Sequence, residues 1–168
     1  MKDYAAKDIR NFAIVGHGAT GKTILSESML SNGGEINRIG SIEGGSTISD
    51  YHHDEHQRQI SIHSSPLHLE WMDTKFNLID TPGYLDFIGE SISSLAVVDL
   101  AVVVVHAVNG IEVGTEQVWN YAKREVGKRI IRSKEEMEKV ILSVMNTIQK
   151  NTQLVQSFFR MPDTEYAL

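Results

Sequence analysis

Residues 16–23 read GHGATGKT, which fits GxxxxGK(S/T), directly between NFAIV (11–15) and a stretch running from Lys22 to Leu30. The β-branched and aromatic residues before the run predict a strand. The amphipathic stretch after it predicts a helix, ended by Gly33 and Gly34. A strand that turns through glycines into a helix N-terminus aims backbone N–H groups at one point, and phosphate oxygens are the partners such a point accepts. The expected binding loop comprises Gly16, His17, Gly18, Ala19, Thr20, Gly21, Lys22 and Thr23. Within it His17 is a spacer used through its amide, Lys22 brings a point charge to the β and γ phosphates, and Thr23 offers a hydroxyl to Mg²⁺. A nucleoside triphosphate or diphosphate with magnesium is the ligand this pattern implies.

The remaining pattern supplies a frame for that loop. Residues 35–59 are polar and glycine-containing with no sustained period, which predicts a long functional loop. Residues 60–72 and 75–80 predict two strands of a hairpin turning at Asp73 and Thr74, with Pro66 marking the first as an edge strand. Residues 87–98 suit a helix, and 114–126 another. The most continuous apolar run, LAVVVVHAV (100–108), predicts a central parallel strand buried on both faces. Strands alternating with helices give an α/β fold whose ligand lies beyond the strand C-terminal ends, where Gly16, Asp80 and Asn109 are expected.

Composition narrows the function. The chain of 168 residues, 41% apolar, suits one compact domain with a real core. It has no cysteine, which excludes disulfides and thiolate metal sites. A formal charge of -6 argues against a broad nucleic-acid face, so no direct DNA binding is expected. No window is apolar enough to span a bilayer and MKDYAAKDIR is too polar for a signal peptide, so the expected compartment is the cytoplasm.

The segment LIDTPGYLDF (78–87) carries the second half of the site. Asp80, at the end of a strand beside the loop, is placed to serve the magnesium shell. Gly83 lets the backbone approach a γ phosphate. Together with IRNFAIVGHGATGKT (9–23), EGGSTISD (43–50) leading to QRQISI (57–62), FNLIDTPGYLDFIGE (76–90) and VVVHAVNGIEVGTEQVW (103–119), it resembles the translational GTPases, and most closely the N-terminal G domain of elongation factor G and its paralogues. The resemblance implies a P-loop G domain with a mostly parallel sheet and helices on both faces. It also implies GTP and GDP as ligands, Mg²⁺ as cofactor, and a ribosome as partner. Thr81, Pro82, Gly83 and Tyr84 join the nucleotide site by motif position. Ser61 takes the place of the switch threonine that presents a hydroxyl to magnesium; it keeps the hydroxyl but loses the stiff β-branch.

Two departures bear on activity. The family places a histidine after DTPG to orient the attacking water, whereas this chain has Tyr84, which makes a hydrogen bond but cannot become a cation at neutral pH. Lys22, Gly83 and Tyr84 are the expected catalytic set, with hydrolysis slowed on the order of a hundredfold or more by the missing histidine. The family's Asn-Lys-x-Asp, which reads guanine, is absent; KRII (128–131) runs instead into RSKEEMEK. Ser133 and Glu136 have capping-box spacing, and Met137, Val140, Ile141, Val144, Met145 and Ile148 repeat as an amphipathic helix. The expected division is therefore a partial GTP-binding domain over 1–132 and a helical segment over 133–168, as in a truncated or rearranged product. A nucleotide-binding remnant without useful turnover, and a P-loop ATPase or kinase, are the alternatives.

HHDEH (52–56) sets His52 and His56 four apart with carboxylates nearby, a conceivable zinc pair lacking a third ligand, and a solvated loop is the preferred reading. The basic residues Lys123, Arg124, Lys128, Arg129, Arg132 and Lys134 read as a solvated helix end.

Overall fold

The structure, a computed structural model, describes the backbone of residues 2–128 and the side chains of residues 2–121. A single 3-10 turn, Ala6–Asp8, leads into β1 (Ile9–Gly16). Then follow α1 (Lys22–Gly33), α2 (His53–Arg58), β2 (Ser65–Trp71), β3 (Thr74–Asp80), a 3-10 turn at Leu85–Phe87, α3 (Ile88–Leu95), β4 (Leu100–Val104) and α4 (Val113–Lys128). The sheet order is β2-β3-β1-β4, with β1 parallel to both β3 and β4 and β2 antiparallel to β3. The expected hairpin and the edge position of Pro66 are both present.

Strand register assigns the faces. Phe12 pairs with Leu78 and Leu78 with Leu67, so these side chains share one face with Ile14 and Leu69. That face carries α1, because a Cβ added at Gly33 would lie 2.9 Å from the Leu69 Cβ. Ala13 and Val15 point the other way and pack with Val118 of α4 and with Ile88 and Leu95. Helices therefore cover both faces, as α/β patterning requires. Full burial of Ile14, Val15 and Leu78 stabilises the fold by roughly 1.5–3 kcal/mol each.

Several sequence expectations are corrected. The strand buried on both faces is β1, not the run at 100–108. β4 ends at Val104, pairs only with β1 among the described residues, and is half-buried, while Val105 and Val108 are exposed. Burial on both faces needs helices above and below plus a strand on each side; β3 and β1 are the interior strands among the described residues, and of the two β1 is buried along most of its length. Asn109 accordingly lies in an exposed turn beyond β4, where it bonds Glu112 and the His106 ring. The hairpin turns at Met72 and Asp73, both with positive φ (47° and 57°), so Thr74 already belongs to β3. This primed geometry matches strand twist and overrides the polar-turn expectation. The first strand begins at Ser65, not at residue 60.

The helix after the phosphate loop is not amphipathic in the ordinary sense. Its polar residues Ser26, Glu27 and Ser28 are buried along with Met29 and Leu30; the two serine hydroxyls donate back to the Lys22 and Ile24 carbonyls of the helix, and Glu27 meets the 35–50 loop. The Glu27 carboxylate accepts from the N–H groups of Gly40 (2.8 Å) and Ile48 (2.6 Å). Gly34, at φ 79°, closes the helix by donating to Leu30 and Ser31 carbonyls. Within the long loop α2 is a single short helix. The segment 133–168 and the basic side chains from Lys123 onward lie outside the described residues.

Candidate nucleotide site

β1 delivers the phosphate loop and β3 delivers Asp80, and parallel pairing sets Ile14 opposite Asp80 so that both chains leave the sheet at the same edge. Gly21 caps α1 with no side-chain cap, so the first-turn N–H groups of the helix are left for an anion. The loop closes on the His17 carbonyl, which accepts from Thr20 Oγ1 and Lys22 Nζ, each at 2.8 Å. Lys22 is only 6% exposed. Burial pushes its pKa down, opposed by the nearby carboxylates of Asp80 and Asp50.

A cluster of oxygen groups gathers near Lys22. Thr23 Oγ1 lies 3.1 Å from Ser61 Oγ, so the hydroxyls read as metal ligands from the sequence come together across 38 positions. Asp80 is 2% exposed, and neither carboxylate oxygen makes a well-aligned hydrogen bond, although the Ser49 and Thr23 hydroxyls lie close to it. Its burial raises the pKa to about 6, despite the Ser49 and Thr23 hydroxyls and the Lys22 charge, which act the other way. Asp50 is buried beside it with Oδ2 unpartnered; burial raises its pKa, partly opposed by the Ser61 hydroxyl. Two hydroxyls and buried carboxylates with orphaned oxygens are an all-oxygen donor set, which fits Mg²⁺.

The DTPG turn is locked from below and open above. Thr81 Oγ1 donates to the Ile14 carbonyl (2.7 Å), and the Pro82 carbonyl accepts from Ser91 Oγ (2.9 Å). Gly83 lies directly on the phosphate loop: a Cβ there would collide with Lys22 Nζ and lie 2.6 Å from the His17 carbonyl oxygen. Only glycine brings this backbone so near the loop. Tyr84 follows, 41% exposed, its ring 3.0 Å from where a Gly18 Cβ would be. It thus borders the loop and solvent together.

Three groups were not read from the sequence. The His17 ring is more than a spacer: its Nδ1 accepts from the Gly114 N–H at 3.3 Å and its Nε2 is 3.9 Å from Glu112 Oε1. Asp50 sits in the quoted EGGSTISD, yet nothing in a polar loop marks one acid as buried. Glu55, 1% exposed, accepts from the N–H groups of His52 (3.1 Å), Ile62 (2.9 Å) and His63 (3.0 Å), and so sets the backbone on both sides of Ser61. His56 does not complete a pair with His52; its Nε2 is 2.6 Å from the Asp50 carbonyl.

A glycine-lined phosphate loop between strand and helix, with a buried carboxylate and a DTPG turn at the neighbouring strand end, defines a P-loop nucleotide-binding domain. The model of the elongation factor Tu GTP binding domain matches residues 7–158, and the chain belongs to that family. The mitochondrial ribosome-releasing factor 2 of Candida dubliniensis is 44% identical over 122 residues, 73% of this chain and 15% of its own length. That of Schizosaccharomyces pombe is 41% identical over 150 residues, 89% of this chain and 18% of its own. A crystal structure from Thermus thermophilus superposes with a TM-score of 0.68 at 38% identity, covering 69% of this chain and 18% of that one. A bacterial selenocysteine-specific elongation factor gives 0.54 at 26%, covering 68% and 17%. The chain spans less than a fifth of the length of these proteins. No helix among the described residues is long and apolar enough to cross a membrane.

Proposed function

We propose that this chain is the magnesium-dependent GTP-binding part of an elongation factor G-like translational GTPase, and that it hydrolyses GTP slowly. The observation that carries the reading is Asp80, buried with both oxygens unpartnered beside the Thr23–Ser61 hydroxyl pair. Orphaned carboxylate oxygens in a buried site are costly, and a hard cation relieves that cost.

In this reading Thr23, Ser61 and Asp80 hold Mg²⁺, which when bound neutralises charge on the β and γ phosphates. The amides from Gly16 to Thr23 wrap the phosphates, and Lys22 exchanges the His17 carbonyl for phosphate oxygen. Thr81 and Pro82 brace the turn so that the Gly83 N–H faces the γ phosphate. Tyr84 positions a water, which adds in line to the γ phosphorus as the bond to the β–γ bridging oxygen breaks, releasing GDP and inorganic phosphate. With one phenolic hydrogen bond in place of a cationic imidazole, turnover is expected to fall on the order of a hundredfold below that of a histidine-bearing site.

Phosphate release under excess GTP and Mg²⁺ tests this, with slow turnover above the buffer rate expected. A rate equal to buffer would favour a nucleotide-binding remnant, which the missing Asn-Lys-x-Asp supports. Titration with labelled GDP, GTP and ATP tests the base, whose usual reader, Asn-Lys-x-Asp, is absent: tighter binding of guanine nucleotides supports the GTPase reading, equal affinity for all three reduces it to a triphosphate binder, and tighter ATP binding favours an ATPase or kinase. Ribosome engagement is inferred from relatives named as ribosome-releasing factors. The proposed compartment is one that holds ribosomes: the cytoplasm, as composition suggests, or the mitochondrion for which those relatives are named. Co-sedimentation with ribosomes from each separates them.

A further inference from the structure

Beyond the nucleotide site, the first turn of α2 and the segment after it bring two imidazoles and a carboxylate together. One ligand atom each from His52, Asp54 and His63 lies within 4.8 Å of the others. We infer that His52, Asp54 and His63 form a binding site for a borderline divalent transition metal of the zinc type.

The backbone under these ligands is already set. His52 is the N-cap of α2 and His63 lies beyond the helix, yet both donate their N–H groups to the same buried carboxylate, that of Glu55 (3.1 and 3.0 Å). The side chains are arranged in the same sense. The His52 and His63 rings lie with centroids 4.4 Å apart, tilted by 52°, and the Tyr51 ring lies 4.3 Å from that of His52. Asp54 accepts the Glu55 N–H through Oδ1, which leaves Oδ2 turned to His63 Nε2 at 3.6 Å.

Tetrahedral zinc with nitrogen and oxygen ligands keeps those atoms ~3.3 Å apart, so closure needs shifts on the order of 1 Å. The His63 and Asp54 side chains, 43% and 48% exposed, have the freedom to make them. Three protein ligands leave the fourth position to water. The donor set also separates this site from the oxygen donors at Thr23, Ser61 and Asp80, since imidazole nitrogen selects zinc-type ions and an all-oxygen ring selects magnesium. His63 is two residues from Ser61, so an ion here would tie α2 to the segment that presents the switch hydroxyl. His56, which the sequence paired with His52, is excluded by its bond to the Asp50 carbonyl.

The test is calorimetric titration of the full chain with Zn²⁺ in excess Mg²⁺, and it needs no nucleotide. One equivalent of saturable zinc binding is expected. It should weaken about tenfold or more in His52→Ala and in His63→Ala, and stay unchanged in His68→Ala and His106→Ala. A second readout uses Co²⁺, whose visible absorption should show a low-coordinate site in the native chain and lose it in His52→Ala. No saturable uptake in Mg²⁺, uptake that survives loss of both His52 and His63, or equal weakening in His68→Ala would overturn the inference and leave an ordinary surface ion pair.

Discussion

The two walls of the nucleotide site are built differently. One wall, the phosphate loop with the DTPG turn, leaves the ends of β1 and β3 and is held by a parallel strand ladder and by steric contact at Gly83. The other, residues 35–64, has one short helix and is held through individual side chains: the buried Glu27 and Glu55 accept five backbone N–H groups between them, Ser65 Oγ donates to the Ser49 carbonyl and the His56 ring bonds the Asp50 carbonyl. A ladder spreads its stability over many small contributions, so no single side chain can release it. A loop held by a few side chains, two carboxylates carrying most of the backbone bonds, loosens when one of those carboxylates is removed. The binding wall is therefore rigid and the sensing wall is built to let go.

Glu55→Ala attacks the second wall directly and should have the largest effect. Three N–H groups lose their acceptor, at an expected cost of about 3–5 kcal/mol. Hydrogen exchange should speed up at residues 52–63 while β1 and β3 stay protected. Uniform loss of protection would show that the walls are one unit.

Asp80→Asn tests the rigid wall where it carries strain. A carboxyl raised to about 6 from the ordinary 3.8 binds its proton more tightly in the folded than in the unfolded state. The folded protein therefore loses stability as pH rises from about 4 through 6, by on the order of 3 kcal/mol. Asparagine removes that dependence. In thermal melts without magnesium the variant should be the more stable protein above pH 6, with the gap closing toward pH 4, while magnesium-dependent GTP affinity is lost.

Tyr84→His should raise GTP turnover on the order of a hundredfold in a phosphate-release assay with little change in GTP affinity. An unchanged rate would assign Tyr84 to packing against Gly18. The smallest effect is expected for Ser61→Thr, where the added β-branch stiffens the sensing wall. Its signature is a gain of about 1 kcal/mol or less in magnesium-dependent GTP binding, with GDP binding unaffected.

The same contrast decides what could be read from the sequence. The rigid wall was legible because its determinants are local: glycines at fixed offsets, a strand before and a helix after, and a carboxylate ending an apolar run. The sensing wall was legible only at Ser61, by motif position. Glu27 and Glu55 resemble surface acids in any periodic reading, since burial of a glutamate depends on which distant amides face it. The polar side of α1 was misread for the same reason. The run at 100–108 is not the strand buried on both faces among the described residues, because hydrophobic continuity reports side chains that seek cover, whereas position in the sheet depends on what pairs at each edge. The zinc-type cluster was missed because its third ligand, His63, comes from outside the HHDEH run.

The His17 imidazole accepts the amide of Gly114, 97 residues later and in the first turn of α4, and a Cβ added at Gly114 would press on His17 Nδ1 at 2.8 Å and on the Gly83 carbonyl at 3.1 Å. The start of α4 is thus mechanically geared to both the phosphate loop and the turn after Asp80. A pull on α4 must either break that contact or carry the loop with it. The helix start is therefore a lever on the proposed phosphate site: a displacement of α4 is expected to reach His17 and Gly83 without any group entering the pocket itself.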